Sequence, residues 1–180
     1  MRALVLPGIG GSGPGHWQSL WQAADPELVR VEQRDWDRPE RDAWIARLEA
    51  AVRDASPAVV LVAHSLACLQ IAHWAGETAL RVRGALLVAP PDASAPEFPE
   101  VARAFAPAPE RRLPFPSVVA ASANDPYCGL ARARRYADAW AARFVNLGDA
   151  GHVNTASGHG PWPEGLELLR EISSGAAARR

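Results

Sequence analysis

Val59-Val60-Leu61-Val62-Ala63-His64-Ser65-Leu66-Ala67-Cys68-Leu69-Gln70-Ile71-Ala72 decides the fold. Its first five residues are an unbroken apolar run, with the length and composition of a strand buried on both faces. From Leu66 the pattern turns helical, so the chain passes from strand to helix at Ser65. A serine on such a turn is lifted above the sheet and held toward whatever binds there. The turn demands small residues two places before and two after the serine, and Ala63 and Ala67 supply them, where glycine is commoner. The helix that follows directs backbone N–H groups and its positive dipole end at the hydroxyl.

The same alternation extends in both directions. Strands are predicted at Ala3–Leu6, Leu28–Glu32, Val59–Ala63, Ala85–Val88, Val118–Ala121 and Phe144–Leu147. Helices are predicted at Trp17–Ala24, Arg41–Ala55, Leu66–Ala75, Leu130–Ala142 and Pro163–Ile172. In the second of these, Trp44, Ile45, Leu48 and Val52 recur at the spacing of one buried helical face. Alternating strands and helices with right-handed crossovers predict an α/β fold, a three-layer α/β/α sandwich around a mostly parallel sheet of about six strands. Ligands of such sheets bind beyond the carboxyl ends of the strands.

Two further motifs fall at that edge. Ser117–Ser122 reads as a strand leading into Ala123-Asn124-Asp125-Pro126-Tyr127, and the last strand leads into Gly148-Asp149-Ala150-Gly151-His152-Val153-Asn154. Serine, acid and histidine thus appear in one order, each after its own strand, as the parts of a nucleophile, orienting carboxylate and general base. Asn124 carries no charge to steady an imidazolium, and Asp149 lies too close to His152 in the same turn. Asp125 is therefore the expected acid.

Of the five histidines, His152 sits in a glycine-rich loop able to carry a ring over Ser65. His16 is expected to line the site, His64 to point away from the nucleophile, His73 to pack on its helix and His159 to meet solvent. The Leu66 amide is the expected first oxyanion donor. The loop Gly8-Ile9-Gly10-Gly11-Ser12-Gly13-Pro14-Gly15 should bring the second, unless its glycines only make the turn. Gly8 in that loop is expected to touch substrate, as are Trp17 and Trp36, which follow strand ends, with Trp162 soon after the base. Trp44, Trp74 and Trp140 read as core, and Trp21 is undecided.

With 180 residues the chain is read as one domain over residues 1–172, followed by a small polar tail, 173–180, that should fray. A net charge of −1 gives no electrostatic attraction to nucleic acid or an anionic membrane. The two cysteines, Cys68 and Cys128, form no C-x-x-C pair, and no histidines have helical metal-ligand spacing. No metal or cofactor is expected. The apolar run within Met1–Pro7 is too short for a signal peptide and is stopped by proline, which makes the cytoplasm the default location. Pro90–Pro116 holds eight of the sixteen prolines and one helical piece near Pro99–Phe105. It reads either as an irregular crossover or as a reduced lid over an open site.

Taken together, the chain resembles the small single-domain α/β-hydrolases grouped with retinoblastoma-binding protein 9 and the bacterial YdeN-like proteins. The resemblance is carried by Ser12-Gly13-Pro14-x-His16-Trp17-Gln18, by Ala63–Ala67, by Ser122-x-Asn124-Asp125-Pro126, and by the run from Gly151 through Trp162-Pro163 to Gly165. It implies a minimal α/β-hydrolase without a cap domain. It also implies a serine hydrolase with Ser65, Asp125 and His152 as triad and a small ester-like substrate. In that fold the residue after a glycine of the first loop gives the second oxyanion N–H, here Ile9 after Gly8. The L-x-C-x-E peptide that docks on the retinoblastoma protein is absent, since Leu66–Gln70 ends in glutamine. That partner is not expected, and the oligomeric state is not legible.

Two rival readings are weighed. Gly8–Gly13 fits G-x-G-x-x-G, and Glu32 ends a strand near where a ribose-binding acid belongs. Against a dinucleotide site, Pro14 and Gly15 delay the helix that must meet the pyrophosphate. The other rival is a non-catalytic module of the same fold, which intact triad candidates disfavour.

Overall fold

Six strands, all parallel, stand in the order β2-β1-β3-β4-β5-β6: β1 Ala3–Leu6, β2 Leu28–Arg30, β3 Val60–His64, β4 Gly84–Val88, β5 Ser117–Ala121 and β6 Arg143–Asn146. The computed structural model describes residues 2–55 and 59–175. Five helices alternate with the strands: α1 Trp17–Ala24, α2 Arg41–Asp54, α3 Leu66–Trp74, α4 Leu130–Trp140 and α5 Pro163–Ser173.

Side-chain alternation along the strands builds two cores. Leu4, Leu6, Leu61, Ala63, Ala85, Leu87, Val119 and Ala121 face α2, α3 and α4, where Leu48, Trp74, Tyr136 and Trp140 join them. Ala3, Val5, Val60, Val62, Leu86, Val88, Val118 and Ala120 face α1 and α5, meeting Trp17, Trp21, Leu169 and Ile172. Continuous apolar strands follow from this, because both pleat faces are covered. The two edge strands depart: β2 buries Leu28 alone, and the residues of β6 are half-buried or exposed. Burying α3 on every side but His73 explains its nearly all-apolar sequence.

Strand order reverses between β1 and β3. The chain leaves β1 toward β2, then crosses back to β3, so the loops after β1 and β3 diverge at a switch point. Gln18 of α1 fills that gap. Its fully buried Nε2 donates to Leu6 O and Val62 O, both at 3.1 Å, where the two strands part.

Predicted element ends shift slightly. The second strand stops at Arg30 rather than Glu32, and the Arg30 side chain braces the loop after β1, bonding Gly11 O, Ser19 Oγ and Gln22 Oε1. Near Pro99, the expected helical piece is a 3₁₀ turn, Glu100–Phe105. The expected frayed tail is corrected at its start, since Ser173 closes α5; residues 176–180 lie outside the described residues. No helix among the described residues is long and apolar enough to cross a membrane.

Candidate active site

Ser65 sits at the crest of the β3–α3 turn with φ 56° and ψ −127°, a left-handed conformation that a residue with a Cβ rarely adopts. Packing holds it there. The Ser65 amide donates to Val88 O on β4 at 2.9 Å, and Ala63 and Ala67 on either side are fully buried. Gly8 presses on the turn from the loop after β1. A Cβ at Gly8 would lie 2.9 Å from the Ser65 Cβ and 3.0 Å from His64 O, so only glycine allows this approach.

His152 Nε2 lies 2.9 Å from Ser65 Oγ, and its Nδ1 lies 3.0 and 2.9 Å from the two oxygens of Asp125. The Asp125 carboxylate also accepts the Tyr127 amide at 2.9 Å. Because Nδ1–H is committed to the carboxylate, Nε2 is left to accept the serine proton. The ring and the carboxylate are almost wholly enclosed, with side chains 9% and 2% exposed. Tyr127 closes over the ring edge-on at 4.5 Å.

The loops after β5 and β6 are stapled to one another. Ser122 Oγ donates to Asn124 Oδ1 and accepts the Ala150 amide, and Asn124 Oδ1 accepts the Gly151 amide at 2.6 Å. Asn124, set aside above as the acid, thus positions the loop that bears His152. Gly151 has φ +56°, and a Cβ there would lie 2.6 Å from Ser157 Cβ. Farther along, Trp17 Nε1 donates to Val153 O at 2.8 Å, tying the same loop to α1.

Two amides remain for an anion. Leu66 opens α3 and has no intrahelical acceptor. The Gly10 and Gly11 amides are taken by Trp36 O and Gly8 O, whereas no backbone carbonyl among the described residues takes that of Ile9.

A cavity of about 470 Å³ opens over Ser65 and His152. His16 and Ile9 line it. Gly8 does not; it lies buried beneath Ser65, where its role is close approach. Trp17 does not either, being 0% exposed and packed against Trp21 and Trp162. Trp36 packs beside Trp44 outside the cavity, its carbonyl bracing the loop at Gly10. These three expected substrate contacts are therefore supports. Trp21 and Trp162 stack in the same cluster.

His64 corrects another expectation. Its ring lines the cavity and lies 4.9 Å from that of His152, and its Nε2–H donates to His152 O at 2.8 Å. Burial pushes its pKa well below the ordinary histidine range, so it stands neutral. His16 is neutral too: burial, with the Arg30 charge, lowers it to about 4. Its Nδ1 accepts the Gln18 amide as the cap of α1, leaving Nε2–H buried with no partner among the described residues. His159, expected in solvent, is half-buried, bonding Ser157 and meeting Trp162 edge-on. The dinucleotide reading loses its geometry here, since Gly8 abuts the nucleophile, the His16 ring caps α1 and Glu32 is exposed. Among the described residues no cluster of His, Cys, Asp and Glu is arranged to hold a metal ion.

A family model described as serine hydrolase matches residues 3–171. Among solved structures, a YdeN-like hydrolase from Pectobacterium atrosepticum superposes with a TM-score of 0.86 at 31% identity, covering 96% of this chain and 90% of the other. The ydeN gene product of B. subtilis gives 0.79 at 19% identity, with coverage of 96% and 98%. Esterase 2 of Thermogutta terrifontis gives 0.71 at 16%, with coverage of 97% and 83%. The last two likenesses speak for the α/β-hydrolase fold. A search of curated proteins gives no match.

Proposed function

The chain belongs to the serine hydrolase family, and from that premise we propose that it cleaves a small ester-like substrate, a carboxylic ester, thioester or amide, through a covalent acyl-enzyme on Ser65. One observation carries the reading: an unbroken hydrogen-bond relay, Ser65 Oγ to His152 Nε2 and His152 Nδ1 to Asp125, lies at the floor of a cavity.

In the proposed reaction His152 takes the Ser65 proton as Oγ attacks the carbonyl carbon. The carbonyl oxygen becomes an anion, for which the amides of Leu66 and Ile9 are the candidate donors. Asp125 keeps the ring in the required tautomer and stabilises the imidazolium. His152 then gives its proton to the departing alcohol, thiol or amine. Water, deprotonated by the same ring, attacks the acyl carbon and releases the acid, restoring Ser65.

A fluorophosphonate probe tests this directly. Wild type should be labelled covalently, and Ser65→Ala should not. A folded wild type that resists the probe would favour the non-catalytic module.

A further inference from the structure

We propose that the substrate's acyl group is uncharged and apolar and lies against Phe98, Pro99 and Ala102, which set its length; this rests on the hydrolase reading above. The cavity has two unlike walls. On the side of α2 and α3 the proline-rich segment brings Pro91, Phe98, Pro99 and Ala102, flanked by Ile9 and Leu66. On the side of α1 stand Ser12, His16, Asn154 and Thr155. Ser65 and His152 lie between them. None of the lining residues bears a formal charge of Asp, Glu, Lys or Arg, although those types make up 22% of the chain.

Chemistry assigns the walls. The departing atom must lie within reach of His152 Nε2, which protonates it. His152 shares its loop with Asn154 and Thr155, so the departing group belongs to the polar wall. There the buried, unpartnered Nε2–H of His16 lacks an acceptor, as polar groups in folded interiors seldom do. The acyl group then falls to the opposite, carbon-rich wall. A carboxylate or ammonium in that place would lose its water and find no counter-charge.

The apolar wall is fixed, so its side chains act as a ruler. Phe98, Ala102 and Phe105 are buried members of the main core, with the Phe105 ring 5.8 Å from that of Trp44. Arg132 of α4 clasps the segment at both ends, bonding Asp92 at 3.0 Å and Glu110 at 2.8 Å.

The experiment measures kcat/KM for p-nitrophenyl esters of straight-chain acids from two to ten carbons. Phe98→Ala and the milder Phe98→Leu are compared with wild type, with Val101→Phe as control on the exposed part of the same turn. Phe98→Ala should move the optimum to longer chains, raising the long-to-short ratio about tenfold, the worth of burying two further methylenes. Phe98→Leu should move it the same way by less, and Val101→Phe should match wild type. A p-nitrophenyl ester of monomethyl succinate should react about a hundredfold faster than that of succinate, whose acyl end is ionised. An unmoved optimum in both Phe98 variants, or equal rates for the succinate pair, overturns the assignment. Fluorophosphonate labelling of each variant reports a folded, competent nucleophile. Labelling without turnover of any neutral ester overturns the substrate class alone, while no labelling of wild type overturns the hydrolase reading.

Discussion

Asp125 gives both carboxylate oxygens to one edge of the His152 ring, so its charge and its acceptor geometry are inseparable there. Asp125→Asn keeps the volume, removes the charge and replaces one acceptor oxygen with an N–H donor, allowing the ring its wrong tautomer. The expected result is kcat down by about 10⁴-fold with unchanged circular dichroism. Gly8→Ala probes the other side of the nucleophile. Its methyl must displace the Ser65 turn or the loop that carries Ile9, and kcat/KM should fall about 10²-fold or more. Retention of full activity would show that the loop yields freely. Ser65 and Asp125 stood out as candidates because each follows a buried apolar run, a local pattern, and His152 because of the glycines around it, since β6 before it is half-buried or exposed. Gln18, Ser122 and Asn124 were not read as positioning groups, because their roles arise from bonds between segments far apart in sequence. Trp17 misled for the opposite reason. Its place after a strand end suggested substrate, while its indole N–H is committed to Val153 O.

Among elements, the proline-rich crossover depends most on a single side chain. Arg132 is only 18% exposed and also reaches Ser94 Oγ and the Tyr136 hydroxyl, so Arg132→Ala leaves Asp92 without its cation and Glu110 with Arg135 alone. A loss of about 2 kcal/mol in urea unfolding is expected, with KM raised more than kcat is lowered, because one wall of the cavity slackens. An unchanged KM would mean that Phe98 and Ala102 are held by the core alone. The sequence marked this segment only as a break in rhythm. Prolines report where regular structure stops, and they carry no record of which face a 3₁₀ turn will cover. The inner strands were easier to place, since burial on both faces leaves a continuous apolar signature; β2, at the sheet edge with Val29 exposed, carries a weaker one and ended earlier than expected.

For the molecule as a whole, two buried neutral histidines govern acid stability. His16 and His64 have pKa values below 6.5 when folded, His16 near 4, and regain the ordinary value on unfolding. Between pH 6.5 and 4 the unfolded chain therefore binds protons that the folded chain refuses, so stability is complete above that window and declines as pH falls through it. His16 alone should contribute roughly 2 kcal/mol of loss between pH 7 and pH 5, read as a falling urea midpoint. His16→Gln should flatten part of that slope, and a midpoint independent of pH over the window would refute the linkage.

The left-handed backbone at Ser65 has a thermodynamic corollary. Two inert proteins, Ser65→Ala and Ser65→Gly, lack the same hydroxyl, yet only the second relaxes the torsion. Ser65→Gly should melt higher, by an amount worth about 1 kcal/mol. Competence for catalysis would then be a tax levied on durability, collected at one peptide unit and visible only once the reacting group is gone.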